Sequence, residues 1–199
     1  MKETLIDLIR HGEPEGGSRY RGSAIDDPLS EKGWQQMWSS IGDHSPWDQI
    51  ISSPLIRCRA FAEAVADKYA IPVSIIDNLK EIGFGSWEGK TRDEVKQFSQ
   101  EEYDAFYRDP VNARPQGAED LDKFVARVTG AYETVVAEHQ GKHCLIVAHA
   151  GVNRVLVAYT LQAGPAGIYR MEMDNGGISR IRHKRYGAML EFHNKKLDW

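Results

Sequence analysis

Apolar positions along this chain alternate between short unbroken runs and longer stretches of helical spacing. Leu5-Ile6-Asp7-Leu8-Ile9, Trp47 to Ser52, Ile71 to Ile76 and His143 to Ala148 are short and largely apolar. Such runs read as strands covered on both faces. Between them lie stretches that predict helices. Ser30 is a candidate N-cap for a helix from Glu31 to Ile41. Leu55 to Tyr69 repeats Ala62, Val65, Ala66 and Tyr69 at helical spacing, and Asp120 to His139 repeats Leu121, Phe124, Val128, Val135 and Val136. A helix over Val152 to Leu161 follows the fourth run. Gly177 to His183 and Ala188 to His193 flank Lys184-Arg185-Tyr186-Gly187 and predict an antiparallel hairpin. Strands alternating with helices give an α/β fold. The expected form is a three-layer sandwich with a mostly parallel sheet and helices on both faces. Residues 84–117 are polar, helical and aromatic, with no strand signal, and are expected to form an insertion capping a site. Residues 1–199 are expected to form a single domain, which is long enough to bury a sizeable core.

Charge changes the picture by exclusion. The net charge is −4, so no global positive field draws nucleic acid or other anions. Any affinity for phosphate must come from a local cluster. The two cysteines, Cys58 and Cys144, are far apart and form no CxxC pair, which fits a reducing compartment and argues against zinc. The start, Met1-Lys2-Glu3-Thr4, runs straight into a strand, and no apolar run is long enough for a membrane. The expected location is the cytoplasm. No metal and no cofactor are expected.

Three strand ends carry candidate chemistry. The first run delivers Arg10-His11-Gly12-Glu13, the fourth delivers His149-Ala150-Gly151, and the second leads through Ser52-Ser53-Pro54-Leu55-Ile56 to Arg57. In open α/β sheets ligand sites form at the C-terminal ends of strands. An imidazole can attack phosphorus, and guanidinium forks hold phosphoryl oxygens. Gly151 allows backbone N–H groups to approach an anion at a helix start.

These three motifs resemble the signature of the histidine phosphatase superfamily, which includes cofactor-dependent phosphoglycerate mutases and fructose-2,6-bisphosphatase. The resemblance runs from the first strand to the last hairpin. Glu81 through Gly89 resembles the segment carrying the proton-donating carboxylate in the small phosphatase branch. Asp109-Pro110, Pro115 through Glu119, Phe124 and Arg127-Val128 look most like α-ribazole phosphatases of cobalamin assembly. The resemblance implies that His11 is the nucleophile and that Arg10, Arg57 and His149 hold phosphoryl oxygens; His149 is expected to be protonated, so that its charge helps neutralise them. It implies that Glu81 protonates the leaving oxygen, with Glu88 as its competitor. Both nearby phosphate charge and removal from bulk water are expected to favour the neutral form of Glu81. Tyr20 and Phe84, beside motif residues, are expected to bind substrate. Glu13 is a candidate for the outer network or a solvated loop carboxylate, Arg59 a surface or rim charge, and His44, His139, His143, His183 and His193 carry no partner signal. The aromatic residues of the insertion are expected mostly to form its own core.

The implied activity is phosphomonoester hydrolysis, with α-ribazole 5′-phosphate as substrate. A broad-specificity or sugar-phosphate phosphatase, or a phosphoglycerate mutase-like enzyme, is the alternative. A short chain favours hydrolysis, since resembling mutases carry extra closing segments. No GxxxxGK[ST] loop accompanies the motifs, which argues against a bifunctional sugar-phosphate kinase. An alternative of another class is a non-catalytic scaffold that binds phosphorylated ligands. Three departures stand out. Gly16-Gly17 occupies the place of a phosphate-contacting Asn, Phe61 that of a Thr, and Gly117-Ala118-Glu119-Asp120 that of Gly-Gly-Glu-Ser.

Overall fold

A computed structural model describes residues 2–43 and 45–197. Its strands are β1 (Thr4–Arg10), β2 (Gln49–Ser52), β3 (Val73–Ile75), β4 (His143–Ala148), β5 (Ile178–Lys184) and β6 (Gly187–Lys195). Its helices are α1 (Glu31–Ile41), α2 (Ile56–Tyr69), α3 (Arg92–Phe98), α4 (Gln100–Arg108), α5 (Leu121–Glu138) and α6 (Ala150–Thr160). The six strands form one sheet in the order β3-β2-β4-β1-β5-β6. The first four are parallel, β5 runs antiparallel to β1, and β6 antiparallel to β5.

Alternation along β1 builds the layers, because successive side chains leave a strand on opposite faces. Ile6 and Leu8 join Ile146, Phe124, Val128 and Leu156 under α5 and α6. Ile9 joins Ile50, Val147, Met37, Phe61 and Val65 under α1 and α2. Asp7 shares the face of Ile9 and is wholly buried. It is held by Arg180 through two bonds of 2.7 and 3.0 Å, by His143 Nε2 at 2.8 Å and by the Trp47 indole at 2.8 Å.

The expected elements are present with shifted edges. β2 starts at Gln49 rather than Trp47. β3 is shorter than the apolar run, since Pro72 has no N–H for a ladder. α6 begins earlier than expected, with His149 at its N-cap. Ser30 caps α1 as expected, accepting from Gly33 N–H at 3.1 Å.

Residues 84–117 contain a short 3₁₀ turn, α3 and α4, and no strand. Trp87, Val95 and Phe106 form a small apolar centre joined by Tyr20, Phe84, Tyr103 and Tyr169. The aromatic residues of this segment thus mostly pack on one another, as expected, though Phe98 stays exposed. Among the described residues no helix is long and apolar enough to cross a membrane.

Candidate active site

Strand register brings the three motifs together. β2, β4 and β1 are consecutive and parallel, so their C-terminal ends lie side by side. His11 N–H donates to Ala148 O and Ser53 N–H to Val147 O, each at 3.0 Å, which continues the ladder past the strand ends. His11 and His149 therefore stand on neighbouring strands, about 4.8 Å apart in the bonding direction. Their ring centroids are 5.2 Å apart at 66°. The rings touch edge to face and do not straddle a gap.

Here the β1–α1 connection is tight. A Cβ on Gly12 would sit 2.1 Å from Gly33 O, and one on Gly33 would sit 2.1 Å from Glu13 O. Two glycines thus let the turn carrying His11 press onto the start of α1.

His11 Nδ1 lies 2.7 Å from Gly12 O. A carbonyl only accepts, so Nδ1 carries the proton and Nε2 keeps its lone pair. Burial pushes the His11 value well below that of an ordinary histidine, and Arg57 and Arg10 push the same way. The ring is therefore neutral at neutral pH.

His149 is wholly buried and does not line the cleft. Its Nε2 bonds Ser53 Oγ at 2.7 Å, and Cys58 Sγ lies 3.6 Å from the same nitrogen. Burial, then Arg57, holds His149 well below the ordinary histidine value. Where the sequence leads to the expectation of a protonated His149, a sealed pocket beside two guanidinium groups works against a third positive charge.

The two arginines offer unused donors. Arg57, 1% exposed, gives Nη1 to Ile25 O at 2.8 Å and Nη2 to Gly22 O at 3.0 Å, and its Nε finds no partner. Arg10 bonds Met173 O through Nη1, and its Nε is likewise unpartnered. Burial lowers the Arg10 value to about 10, which still leaves it charged at neutral pH. Buried donors without acceptors are rare, and two beside one histidine suit an oxyanion.

Glu81 lines the same cleft. Its Oε1 accepts from Ile82 N–H at 3.0 Å and its Oε2 from Gly151 N–H at 3.1 Å. The Gly151 N–H thus serves a carboxylate, where the sequence suggested an anionic ligand. A Cβ on Gly151 would lie 2.2 Å from Glu81 Oε1, so glycine is required for that approach. Glu88 is elsewhere. Its oxygens accept from Phe84 N–H at 2.9 Å and Ala24 N–H at 3.2 Å, and it faces a separate groove.

The cleft measures about 640 Å³. Tyr20, Phe84, Phe106, Tyr107, Ile168 and Tyr169 form its apolar side, and Arg19, Arg21, Arg92 and Arg154 add positive charge. Tyr20 and Phe84 stand at 5.2 Å, and the Tyr20 and Tyr107 hydroxyls are 2.8 Å apart. Glu13 lines the cleft and pairs with Lys32 at 3.0 Å. Gly17 also lines it, with no side chain to offer.

Other predicted residues lie outside the cleft. Phe61 packs against Trp34 and Trp38 in the α1–α2 core. Arg59 pairs with Glu63 at 3.8 Å on the surface. His183 bonds Tyr132, and His193 bonds Ser179 and Glu172 O. His139 ends α5, and His44 lies outside the described residues. Sequence reasoning missed Tyr169, Arg154 and the support that Ser53 and Cys58 give His149. Ser53 stood inside a motif, but nothing local marks Tyr169 as a wall residue.

The model of the histidine phosphatase superfamily (branch 1) matches residues 6–196. The adenosylcobalamin/alpha-ribazole phosphatase of Salmonella typhimurium is 31% identical over 96% of each chain. Phosphoserine phosphatase 1 of Hydrogenobacter thermophilus is 29% identical over 94% of this chain and 90% of its own. A bifunctional protein of Mycobacterium tuberculosis is 30% identical over 93% of this chain, which spans only 52% of that relative's length. The crystal structure of the alpha-ribazole phosphatase from Shigella flexneri superposes with a TM-score of 0.81 at 30% identity, covering 96% of both chains.

Proposed function

The chain belongs to the histidine phosphatase superfamily, and from that premise we propose that it hydrolyses phosphomonoesters through a phosphohistidine on His11. One observation carries the proposal: the Nδ1 bond to Gly12 O leaves Nε2 unprotonated beside two guanidinium groups with unused N–H donors. In the first step Nε2 attacks phosphorus, the bond to the leaving oxygen breaks, and Glu81 gives that oxygen its proton. In the second, water attacks phosphorus, Glu81 takes the proton, the P–N bond breaks, and inorganic phosphate leaves. A positioned acid contributes about 10²–10⁴ in rate when the leaving group is an alkoxide. Arg10 and Arg57 hold the non-bridging oxygens, which is the main electrostatic contribution in phosphoryl transfer. A neutral His149 braces the His11 ring from behind. Residues 1–199 act as one catalytic domain, with 84–117 as its cap.

For the substrate we propose α-ribazole 5′-phosphate. Relatives of that name align over nearly the whole chain, and the aromatic side of the cleft, led by Tyr20 and Phe84, suits a flat base. The phosphoserine phosphatase relative supports a second reading, a phosphatase of small alkyl esters. Two free, buried thiols, Cys58 and Cys144, support the cytoplasmic location.

A kcat/KM panel across α-ribazole 5′-phosphate, phosphoserine, 3-phosphoglycerate and fructose 2,6-bisphosphate tests the substrate. Preference for any other ester by more than about tenfold, a gap of about 1.4 kcal/mol, overturns it. His11→Ala should abolish both turnover and trapping of labelled phosphoenzyme. Turnover near the wild-type rate would reject the nucleophile. Folded wild-type protein that hydrolyses no aryl phosphate would favour the binding scaffold, and activity lost to a chelator would point to a metal.

A further inference from the structure

The backbone that carries Glu81 has no sheet or helix of its own. Residues 80–83 run irregularly between a 3₁₀ turn (Asp77–Leu79) and another (Gly85–Trp87). Backbone groups in such a strap need partners from elsewhere, and an acid on a loose strap is badly placed. One side chain holds two carbonyls of the strap and a third just before it. Arg127, on α5, gives Nη1 to Asn78 O at 2.7 Å and Lys80 O at 2.9 Å. Its Nη2 goes to Glu81 O at 3.2 Å and to Glu119 Oε2 at 2.9 Å, and its Nε to Glu119 Oε1 at 2.7 Å. All five guanidinium donors are therefore in use, and the plane lies 4.7 Å over the Phe124 ring. Glu119 completes the hold. Its Oε2 accepts from Gly83 N–H at 3.1 Å, while its own N–H donates to Gly83 O at 3.0 Å.

Neither Arg127 nor Glu119 lines the catalytic cleft; both face the groove on the other side of the strap. We propose that the Arg127–Glu119 pair is a positioning clamp for Glu81, gripping its strap before and after that residue so that the carboxyl group meets the leaving oxygen at a set place. The inference rests on the reading of Glu81 as the acid. A lysine has three donors and no planar fork, so it cannot replace this grip.

A double-mutant cycle on an alkyl phosphate, where acid catalysis matters, tests the clamp. R127M should lower kcat by about 100-fold, the cost of a misplacement of about 1 Å, with KM nearly unchanged because the phosphate-holding arginines are untouched. On p-nitrophenyl phosphate, whose leaving group needs little protonation, the loss should be smaller. In an E81Q background R127M should cost almost nothing more, since a residue acting through Glu81 has nothing left to position. If R127M multiplies the E81Q loss by its full factor, or acts on KM alone, the clamp is rejected and the acid assignment stands. If E81Q itself keeps full kcat on the alkyl ester, the acid assignment fails and the clamp with it. Should R127M not fold by circular dichroism, E119Q carries the same cycle. It keeps an oxygen for Gly83 but sets an amide against the guanidinium, with an expected loss of about tenfold.

Discussion

At the scale of single residues the decisive fact is where one proton sits. His11 Nδ1 donates to its own neighbour's carbonyl, which leaves Nε2 as the only free lone pair of the ring. A buried imidazole beside Arg57 and Arg10 resists a second proton. Since its value is lowered, the ring gains its proton only in acid. In a nitrogen-15 NMR titration of the unliganded protein, His11 should remain neutral down through pH 6.5, the ordinary histidine value. Arg57→Met should move its midpoint upward, because one repelling charge is gone. A His11 midpoint at or above 6.5 in the wild type would contradict this account. The two carboxylates that sequence could only rank each accept two backbone N–H groups, but they stand in different places: Glu81 lines the cleft with His11, and Glu88 lines the separate groove.

Among elements, Asp7 ties the sheet. It joins β1 to β5 through Arg180, to β4 through His143, and to the entry of β2 through Trp47. Burial alone would raise its value; the hydrogen bonds from His143 and Arg180 outweigh it and hold the carboxyl below 3.8. A folded value below the unfolded one means stability that is present above the unfolded value and lost as pH falls through the folded one. Asp7→Asn should therefore destabilise the protein by about 2 kcal/mol at neutral pH, since a buried carboxylate that accepts charge-assisted hydrogen bonds from Arg180 is lost. That deficit should shrink as urea denaturation is repeated at pH values falling below 3.8. A deficit constant across the whole range would show that the charge of Asp7 plays no part. β1 thus reads as an apolar run while carrying one charge, because sequence spacing does not reveal partners on three other elements.

For the molecule as a whole, the question is how a chain of net charge −4 holds an anion. The answer is segregation: Arg10, Arg19, Arg21, Arg57, Arg92 and Arg154 line one cleft with Glu13, Glu81 and Asp174. Three segments build the apolar wall. Tyr20 comes from the body, Phe84, Phe106 and Tyr107 from residues 84–117, and Tyr169 from the turn after α6. Phe84→Ala should raise KM for α-ribazole 5′-phosphate by about tenfold, about 1.4 kcal/mol of lost ring contact. KM for a small alkyl phosphate should change far less. Equal changes for both esters would mean that the wall does not read the leaving group.

The sequence by itself determined the alternation of strands and helices, the hairpin, and which residues stand at strand ends. Those features are local: periodicity, caps and turn residues act within a few positions. His11, Arg10, Arg57 and His149 were legible for that reason, since a strand's last residue is visible without knowing its neighbours. Only the tertiary structure decided what those residues meet. The order β2-β4-β1 seats His149 against His11, and burial there keeps both rings neutral. The Gly151 N–H turns to Glu81, and Arg127 grips a strap some fifty positions earlier. Desolvation and hydrogen bonding depend on which surfaces close over a group, and that is settled by contacts between segments far apart in the chain.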